Sequence, residues 1–235
     1  MRCYRNRRLA SLADAEKSDL RNTRRAKNPC PGCAAARESC LCAVLPRIEL
    51  ATKICLVIHH RELTRSSNTG LLAVRALVNS EVRVRGAGRD SLDLKNLLTP
   101  QYRTFLLYPS PDAVELTKAL AVQDARPIQL IVPDGTWRQA RKLHSRHAEL
   151  RNVARVKLSV PSDSTYQLRA QSQPGRMATL QAIAHALGVI EGAAVRDQMM
   201  TLYHAKIERT LIGCGILPKN GESRLGSSRH IEAQS

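Results

Sequence analysis

Short apolar runs that alternate with helix-like segments constrain the fold of this chain more than any other feature of its sequence. Residues 54–58 and 128–132 are apolar runs with the length of a buried strand. Residues 104–108 and 155–160 have strand-like composition or alternation as well. Helix-like segments are predicted at 68–77, about 113–121, 136–147, 177–191 and 194–211. This order predicts an α/β fold with a mostly parallel sheet and flanking helices.

The length of 235 residues suits one domain with a full core, or one domain with a small appendage. Composition divides the chain into four parts: a basic N-terminal arm at 1–29, a cysteine-rich segment at 30–47, an α/β domain at 48–215 and a tail at 216–235. The tail is rich in Ser, Gly and charged residues, which predicts disorder.

The charge balance points to a polyanionic partner. The chain has 37 Lys and Arg residues against 20 Asp and Glu residues, a formal net charge of +17. Basic side chains displace the counterions condensed on phosphates, so we expect nucleic acid, with simple solubility as the alternative. Aromatic residues make up only 3% of the chain, which argues against a single-strand-binding module built on stacking. Structured RNA, recognised by its shape and backbone, fits better.

The sequence predicts a cytoplasmic protein that does not enter the membrane. No stretch approaches the roughly 20 apolar residues of a membrane helix. The first eight residues are basic, but no apolar core follows them, so they do not form a secretory signal. Asp14, Glu16 and Asp19 argue against a mitochondrial presequence. The sequence predicts no obligate protein partner and leaves the oligomeric state open.

Four cysteines lie within thirteen residues, in the spacing Cys30-x2-Cys33-x6-Cys40-x-Cys42. Four thiolates at this spacing can surround one Zn²⁺ tetrahedrally and leave no open position, which predicts a structural metal site. Two disulfides are the alternative in an oxidised protein, and an iron–sulfur cluster is chemically allowed.

A carboxylate follows the apolar run 128–132, in the sequence Pro133-Asp134-Gly135-Thr136-Trp137. In open α/β sheets, ligands bind at the carboxyl ends of the strands. Asp134 is therefore a candidate base or hydrogen-bond acceptor. In the alternative interpretation, Asp134-Gly135 is an ordinary turn, Thr136 caps the next helix and Trp137 fills the core.

Polar groups follow the other predicted strands too. His59-His60-Arg61-Glu62 and Arg65-Ser66-Ser67-Asn68-Thr69-Gly70 come after the first strand, and Tyr108-Pro109-Ser110 after the second. Tyr166-Gln167-Leu168-Arg169 comes after the fourth, where Arg169 could bind a carboxylate or a phosphate. Each segment alone is also compatible with a polar loop or a helix cap.

The ordered set of these motifs resembles the DTW-domain family, the tRNA-uridine aminocarboxypropyltransferases. The resemblance rests on the four-cysteine spacing, His60-x-Glu62, Asn68-Thr69-Gly70, Leu107-Tyr108-Pro109-Ser110, Asp134-Gly135-Thr136-Trp137 and Tyr166-Gln167-Leu168-Arg169, and it extends from about residue 30 to 211. It implies a SPOUT-like α/β sheet with a knotted S-adenosylmethionine site.

The resemblance also implies a reaction and its residues. The 3-amino-3-carboxypropyl group of S-adenosylmethionine would pass to N3 of a tRNA uridine, with release of methylthioadenosine. Asp134 is the candidate base, and Trp137 is the second residue predicted at the catalytic centre. The cofactor is expected to contact Asn68, Thr69, Gly70, Leu107, Tyr108, Pro109, Asp134, Tyr166 and Arg169. The tRNA or the transferred group is expected to contact Arg65, Thr136, Arg138 and Arg141.

Two positions depart from the family pattern. Arg61 stands where the family usually has Pro, and Ala178-Thr179-Leu180-Gln181 stands where it has Ser-Thr-x-Glu. Gln181 retains hydrogen bonding but loses the charge. Two rival functions remain: an S-adenosylmethionine-dependent RNA methyltransferase, and a non-catalytic, zinc-containing RNA-binding protein.

Overall fold

The computed structural model describes residues 28–86, 92–159 and 177–213. Its strands are β1 (Lys53–His59), β2 (Ser80–Arg85), β3 (Arg103–Leu107), β4 (Val114–Glu115), β5 (Ile128–Asp134) and β6 (Ala154–Lys157). Its α-helices are α1 (Gly70–Ala76), α2 (Lys118–Val122), α3 (Trp137–Arg146), α4 (Thr179–Ile190) and α5 (Ala193–Gly213). Short 3-10 turns lie at Arg37–Ser39, Cys42–Val44, His60–Glu62 and Ala148–Leu150.

The six strands form one sheet in the order β2-β1-β5-β3-β6-β4. Every neighbouring pair in it is parallel. The carboxyl ends of all six strands therefore meet at one edge, and Asp134 at the end of β5 lies beside Ile58 of β1. The predicted α/β class with a mostly parallel sheet is confirmed.

Two apolar layers enclose the sheet, which explains the continuous apolar run of β1. Ile54, Leu56 and Ile58 face a core that α1, α4 and α5 complete. Cys55 and Val57 face the opposite core, to which the described residues of α3 and the turn before β6 contribute. A central strand that is buried on both faces is apolar at successive positions, so its sequence shows no alternation of apolar and polar residues.

Most predicted elements are confirmed, but two edge strands were missed. Both β2, whose Val82 and Val84 are 38% and 40% exposed, and the two-residue β4 lie at the ends of the sheet. The prediction of a helix at about 113–121 is wrong for the first part of that segment. Residues 114–115 pair with β6, and α2 begins only at Lys118, where the Thr117 side chain accepts the N–H of Leu120.

Residues 1–27, 87–91, 160–176 and 214–235 lie outside the described part of the chain. The predicted basic arm and disordered tail fall there almost entirely, and residues 160–176 link β6 to α4. The SPOUT relationship and the knot therefore stay predictions. Among the described helices, none combines the length and the apolarity that crossing a membrane requires.

Candidate active site and metal centre

Asp134 is fixed at the carboxyl edge of the sheet by two side chains that come from distant parts of the chain. Asn68 Nδ2 donates to its Oδ2 across 2.5 Å, and Thr179 Oγ1 donates to its Oδ1 across 2.6 Å. Only 5% of Asp134 is exposed. A carboxylate oxygen can accept two hydrogen bonds, so each oxygen keeps acceptor capacity. Asp134 is thus an oriented acceptor where open α/β sheets bind their ligands.

The start of α1 approaches this carboxylate closely because residue 70 is glycine. A Cβ on Gly70 would lie 2.8 Å from Asp134 Oδ2. The orientation of Asn68 follows from its second hydrogen bond: its Oδ1 accepts the N–H of Leu71 at 2.9 Å, so its Nδ2 faces the carboxylate. The helix begins at Gly70, two residues after the start of the predicted segment, and the Asn68 side chain accepts an N–H of its first turn.

The start of α4 completes the network and explains the departure at Gln181. Gln181 is 5% exposed, and its Oε1 accepts the backbone N–H of Ala178 at 3.0 Å. A neutral amide oxygen performs this capping role as a carboxylate would. The Leu180 N–H donates to Thr69 Oγ1 at 3.3 Å, which joins the start of α4 to the start of α1. Thr179 was not among the predicted site residues, although its motif had been noted.

The residues after Asp134 begin α3. Thr136 Oγ1 accepts the N–H of Gln139, whose side-chain oxygen accepts the Thr136 N–H, a complete capping box. The structural interpretation of Thr136 as a helix cap is therefore confirmed, and Trp137 is the first helical residue. The Trp137 side chain lies outside the described part of the molecule. Exposed Arg138 and Arg141 follow on the same helix.

Positively charged side chains surround the end of β1. Burial lowers the pKa of His59, and the charges of His60, Arg85, Arg61 and Arg65 act in the same direction. The imidazole is therefore neutral at pH 7. Its Nδ1 accepts the N–H of Arg61 at 3.3 Å, which places the ring proton on Nε2.

Arg65 and Arg85 have protein partners at this edge. Arg65 Nη1 lies 3.2 Å from Oε1 of the fully buried Glu62. Arg85, which is 8% exposed at the end of β2, donates to the backbone oxygen of Gln139 in α3. Burial lowers the pKa of Arg85, and nearby Arg146 adds to the effect. The sequence prediction included Arg65 but missed Arg85, because Arg85 ends an edge strand that was not predicted.

The second strand-end motif is divided between the core and the surface. Leu107 and Tyr108 are 8% and 9% exposed and pack into opposite cores, while Pro109 is exposed. Burial raises the pKa of Tyr108, and the charge of Arg141 opposes this shift. Tyr108 shares its core with Leu143, so α3 lies near the motif. Tyr166 and Arg169 lie outside the described residues, so their predicted role stays a prediction.

The four clustered cysteines form a metal-binding geometry. Their sulfur atoms all lie within 4.8 Å of one another. The sulfurs of Cys30 and Cys42 are 3.5 Å apart, those of Cys30 and Cys40 3.6 Å, and those of Cys33 and Cys40 3.9 Å. Four thiolates around one tetrahedral zinc, at about 2.3 Å each, would be about 3.8 Å apart. None of these separations is the bonding distance of about 2 Å that a disulfide requires. They favour a single ion over a cluster, whose irons would hold the thiolates further apart.

The backbone around the cysteines fits this geometry. A Cβ on Gly32 would lie 2.6 Å from Cys42 Sγ, so only glycine leaves the sulfurs room to converge. The Leu41 N–H donates to Cys33 Sγ at 3.3 Å. Hydrogen bonds from the Cys33 backbone N–H and then from the Cys42 thiol lower the pKa of Cys30 to about 6. The pKa of Cys42 moves the other way, to about 12, because its thiol donates to Cys30 and Cys40. The convergence of the four sulfurs is what allows the segment to hold a metal ion.

Fold and site together define an α/β protein with a four-cysteine metal-binding segment and an oriented carboxylate at the carboxyl edge of a parallel sheet. The chain belongs to the DTW-domain family: the family model, described as DTW domain, matches residues 27–211. The family predicted from the motifs is confirmed.

Three relatives have been named for their activity. The tRNA-uridine aminocarboxypropyltransferase 2 of Drosophila melanogaster is 32% identical over 173 residues, which cover 70% of this chain and 67% of that protein. The protein of the same name from Macaca fascicularis is 27% identical over 69% of this chain and 56% of its own length. The tRNA-uridine aminocarboxypropyltransferase A of Arabidopsis thaliana is 28% identical over 69% of this chain and 72% of its own length. No solved structure matches the chain significantly.

Proposed function

We propose that this protein is a tRNA-uridine aminocarboxypropyltransferase. It transfers the 3-amino-3-carboxypropyl group of S-adenosylmethionine to N3 of a tRNA uridine. The new bond joins N3 to the carbon that leaves sulfur, and the sulfonium becomes the neutral thioether of methylthioadenosine. The observation that carries the proposal is the oriented carboxylate of Asp134, in a chain similar to proteins named tRNA-uridine aminocarboxypropyltransferase.

The reaction has two requirements that the protein must meet. The leaving sulfur needs no proton, so catalysis depends on which of its carbons lies in line with N3. The N3 proton must be removed, and its pKa lies well above neutral. We assign the removal of this proton to Asp134, because its two hydrogen bonds orient a carboxylate at the ligand-binding edge of the sheet.

The cofactor would lie along the same edge. Asn68, Thr69 and Gly70 present the start of α1 there, and Pro109 is the exposed residue of the second motif. Because Leu107 and Tyr108 are buried, we expect their backbone to contact the cofactor rather than their side chains. Arg169, with Arg65 as the second candidate, would bind the carboxylate of the transferred group. Trp137 would border the reaction centre.

The tRNA would lie across the exposed basic surface next to this edge. Arg138 and Arg141 are exposed on α3, whose first turn follows Asp134 directly. Thr136 caps that helix, so its role toward the substrate would be indirect: the cap fixes the position of the helix that carries these arginines. Backbone contacts of this kind position an RNA by its shape. The basic N-terminal arm would add further phosphate contacts.

We also propose that the ion held by Cys30, Cys33, Cys40 and Cys42 is a structural Zn²⁺. The four ligands fill its coordination sphere, so the ion would support the fold and take no part in the transfer. Metal analysis of purified protein tests the assignment: one zinc per chain is expected, and a Cys40→Ser variant should lose it. Cys55, a buried thiol of β1 outside the cluster, provides the control, because Cys55→Ala should retain the zinc.

The decisive assay supplies labelled S-adenosylmethionine and unmodified tRNA and identifies both products by mass spectrometry. Methylthioadenosine and an aminocarboxypropyl-uridine are expected. Release of S-adenosylhomocysteine would instead identify a methyltransferase. Salt-dependent tRNA binding without saturable cofactor binding would identify a non-catalytic RNA-binding protein.

The role of Asp134 is tested separately with Asp134→Asn, which retains the size of the side chain. Loss of a general base should lower kcat by about 10²–10⁴-fold. The residual rate should rise with pH toward the N3 pKa, where the uridine loses its proton without help. A variant that is equally impaired at every pH would show that Asp134 only orients its neighbours, and unchanged kcat would remove it from the mechanism.

A further inference from the structure

A buried lysine on the last helix lies next to the cysteine segment and has no role in the site described above. Lys206 is only 6% exposed, in the middle of α5. Fully buried lysines are rare unless a negative group compensates their charge. Among the described residues, no carboxylate forms an ion pair or a hydrogen bond with Lys206.

The part of α5 that carries Lys206 packs against the cysteine segment. Ile207, the next residue, belongs to the same core as Cys33 and Leu41. Ser39 Oγ donates to the Arg209 backbone oxygen at 3.5 Å, one helical turn further along α5. Cys33, which shares its core with residues of α5, is 4% exposed, whereas Cys42 is exposed, so the cluster has a dry side next to that core.

The packing of α5 on the cysteine segment makes the thiolates the candidate compensating group. Burial lowers the pKa of Lys206, and the one described group whose charge raises it is Cys33. Four thiolates around a divalent ion carry a net charge of −2. A charge of this size is costly against a dry core unless a cation or hydrogen-bond donors oppose it.

We propose that Lys206 is the charge partner of the cysteine metal centre, held by α5 at its buried side so that the ammonium offsets part of the negative charge of the metal-bound thiolates. The lysine binds no metal itself. It acts through Cys33 and is a positioning residue. The inference rests on the proposed zinc site, and it is independent of the transferase activity.

The test compares zinc affinity in the full chain, by competition with a chromophoric chelator at fixed pH and ionic strength. Lys206→Met removes the charge and retains most of the volume. Loss of an outer-sphere partner should weaken zinc binding about 10–100-fold. Lys95→Met, at an exposed position, provides the control and should bind zinc as the wild type does.

The same variants are then melted with zinc and with excess EDTA. If Lys206 is the charge partner, the melting temperatures of the two states should change in opposite directions. Lys206→Met should lower the melting temperature of the zinc-loaded protein. It should maintain or raise that of the metal-free protein, in which an uncompensated buried charge has been removed. A lysine that serves only as packing predicts the same change in both states.

If Lys206→Met does not fold, Lys206→Arg and Lys206→Gln give the same comparison. The proposal stands if the arginine variant binds zinc within about threefold of the wild type and the glutamine variant at least tenfold more weakly. Equal affinities in these variants, or in Lys206→Met and the wild type, overturn the role of Lys206. A wild type that binds no zinc overturns the metal centre itself.

Discussion

The hydroxyl of Thr179 donates to Oδ1 of Asp134 across 2.6 Å, which ties the first residue of α4 to the last residue of β5. Thr179→Val preserves the shape of the side chain and removes this hydrogen bond to a charged group. We expect the free energy of unfolding to fall by about 1.5–3 kcal/mol, measured by urea denaturation. Thr179→Ser retains the hydroxyl and is the matched control. Equal losses in the two variants would assign the effect to packing.

Gly70 permits the close approach of α1 to Asp134, since a Cβ would lie 2.8 Å from Oδ2. In Gly70→Ala, either the helix start or the carboxylate must shift. We expect a destabilisation of about 1–3 kcal/mol, typical of overpacking in a tight site. The rate of transfer should fall more than stability accounts for, because the shift moves the proposed base. An alanine variant with normal stability and turnover would contradict the geometry of this contact.

The arginines of α3 are expected to bind phosphates rather than bases. The double variant Arg138→Ala, Arg141→Ala should weaken tRNA binding and reduce the slope of log K against log salt by about 2, one unit per lost contact. Arg126→Ala is the control, because that exposed arginine precedes β5, at the opposite edge of the sheet, and pairs with Asp124. An unchanged slope in the double variant would place the tRNA on another surface.

Acid pH should destabilise the protein through its histidines. Burial is the main cause that lowers the pKa of His59, His147 and His185. The unfolded chain then binds more protons than the folded one, so stability rises with pH. The gain is complete above the unfolded pKa of about 6.5 and is lost as pH falls toward the lower folded values. Urea melts at several pH values check this, and His185→Gln should reduce the slope.

The sequence predicted the central part of the fold because burial determines its pattern. Strands β1 and β5 are covered on both faces, and their apolar runs identify them directly. The edge strands β2 and β4 lack this signal. In β2, Glu81 and Arg83 are paired with each other, while Val82 between them and Val84 after them are exposed, so the segment looks like a surface loop.

The sequence named some residues of the candidate site, missed Thr179 and Arg85, and predicted none of the site's contacts. Asp134 and Asn68 were named, yet nothing in a sequence indicates that an amide 66 residues away orients a carboxylate. From the sequence, Gln181 was a departure that retains hydrogen bonding but loses the charge of the family's Glu. In the structure, Gln181 Oε1 accepts the backbone N–H of Ala178, and this hydrogen bond needs no charge. Hydrogen bonds of this kind depend on tertiary packing, which spacing alone cannot express.

The packing of α5 on the cysteine segment has a consequence for the order in which the protein is made. Ser39 and its partner Arg209 are 170 positions apart. At 5–20 residues per second, the cysteines leave the ribosome about 10–30 s before the helix that covers them. During that interval the side of the cysteine segment that α5 later covers is exposed to solvent. Capture of zinc would compete with oxidation, so the outcome for each newly made chain would depend on the free zinc supply.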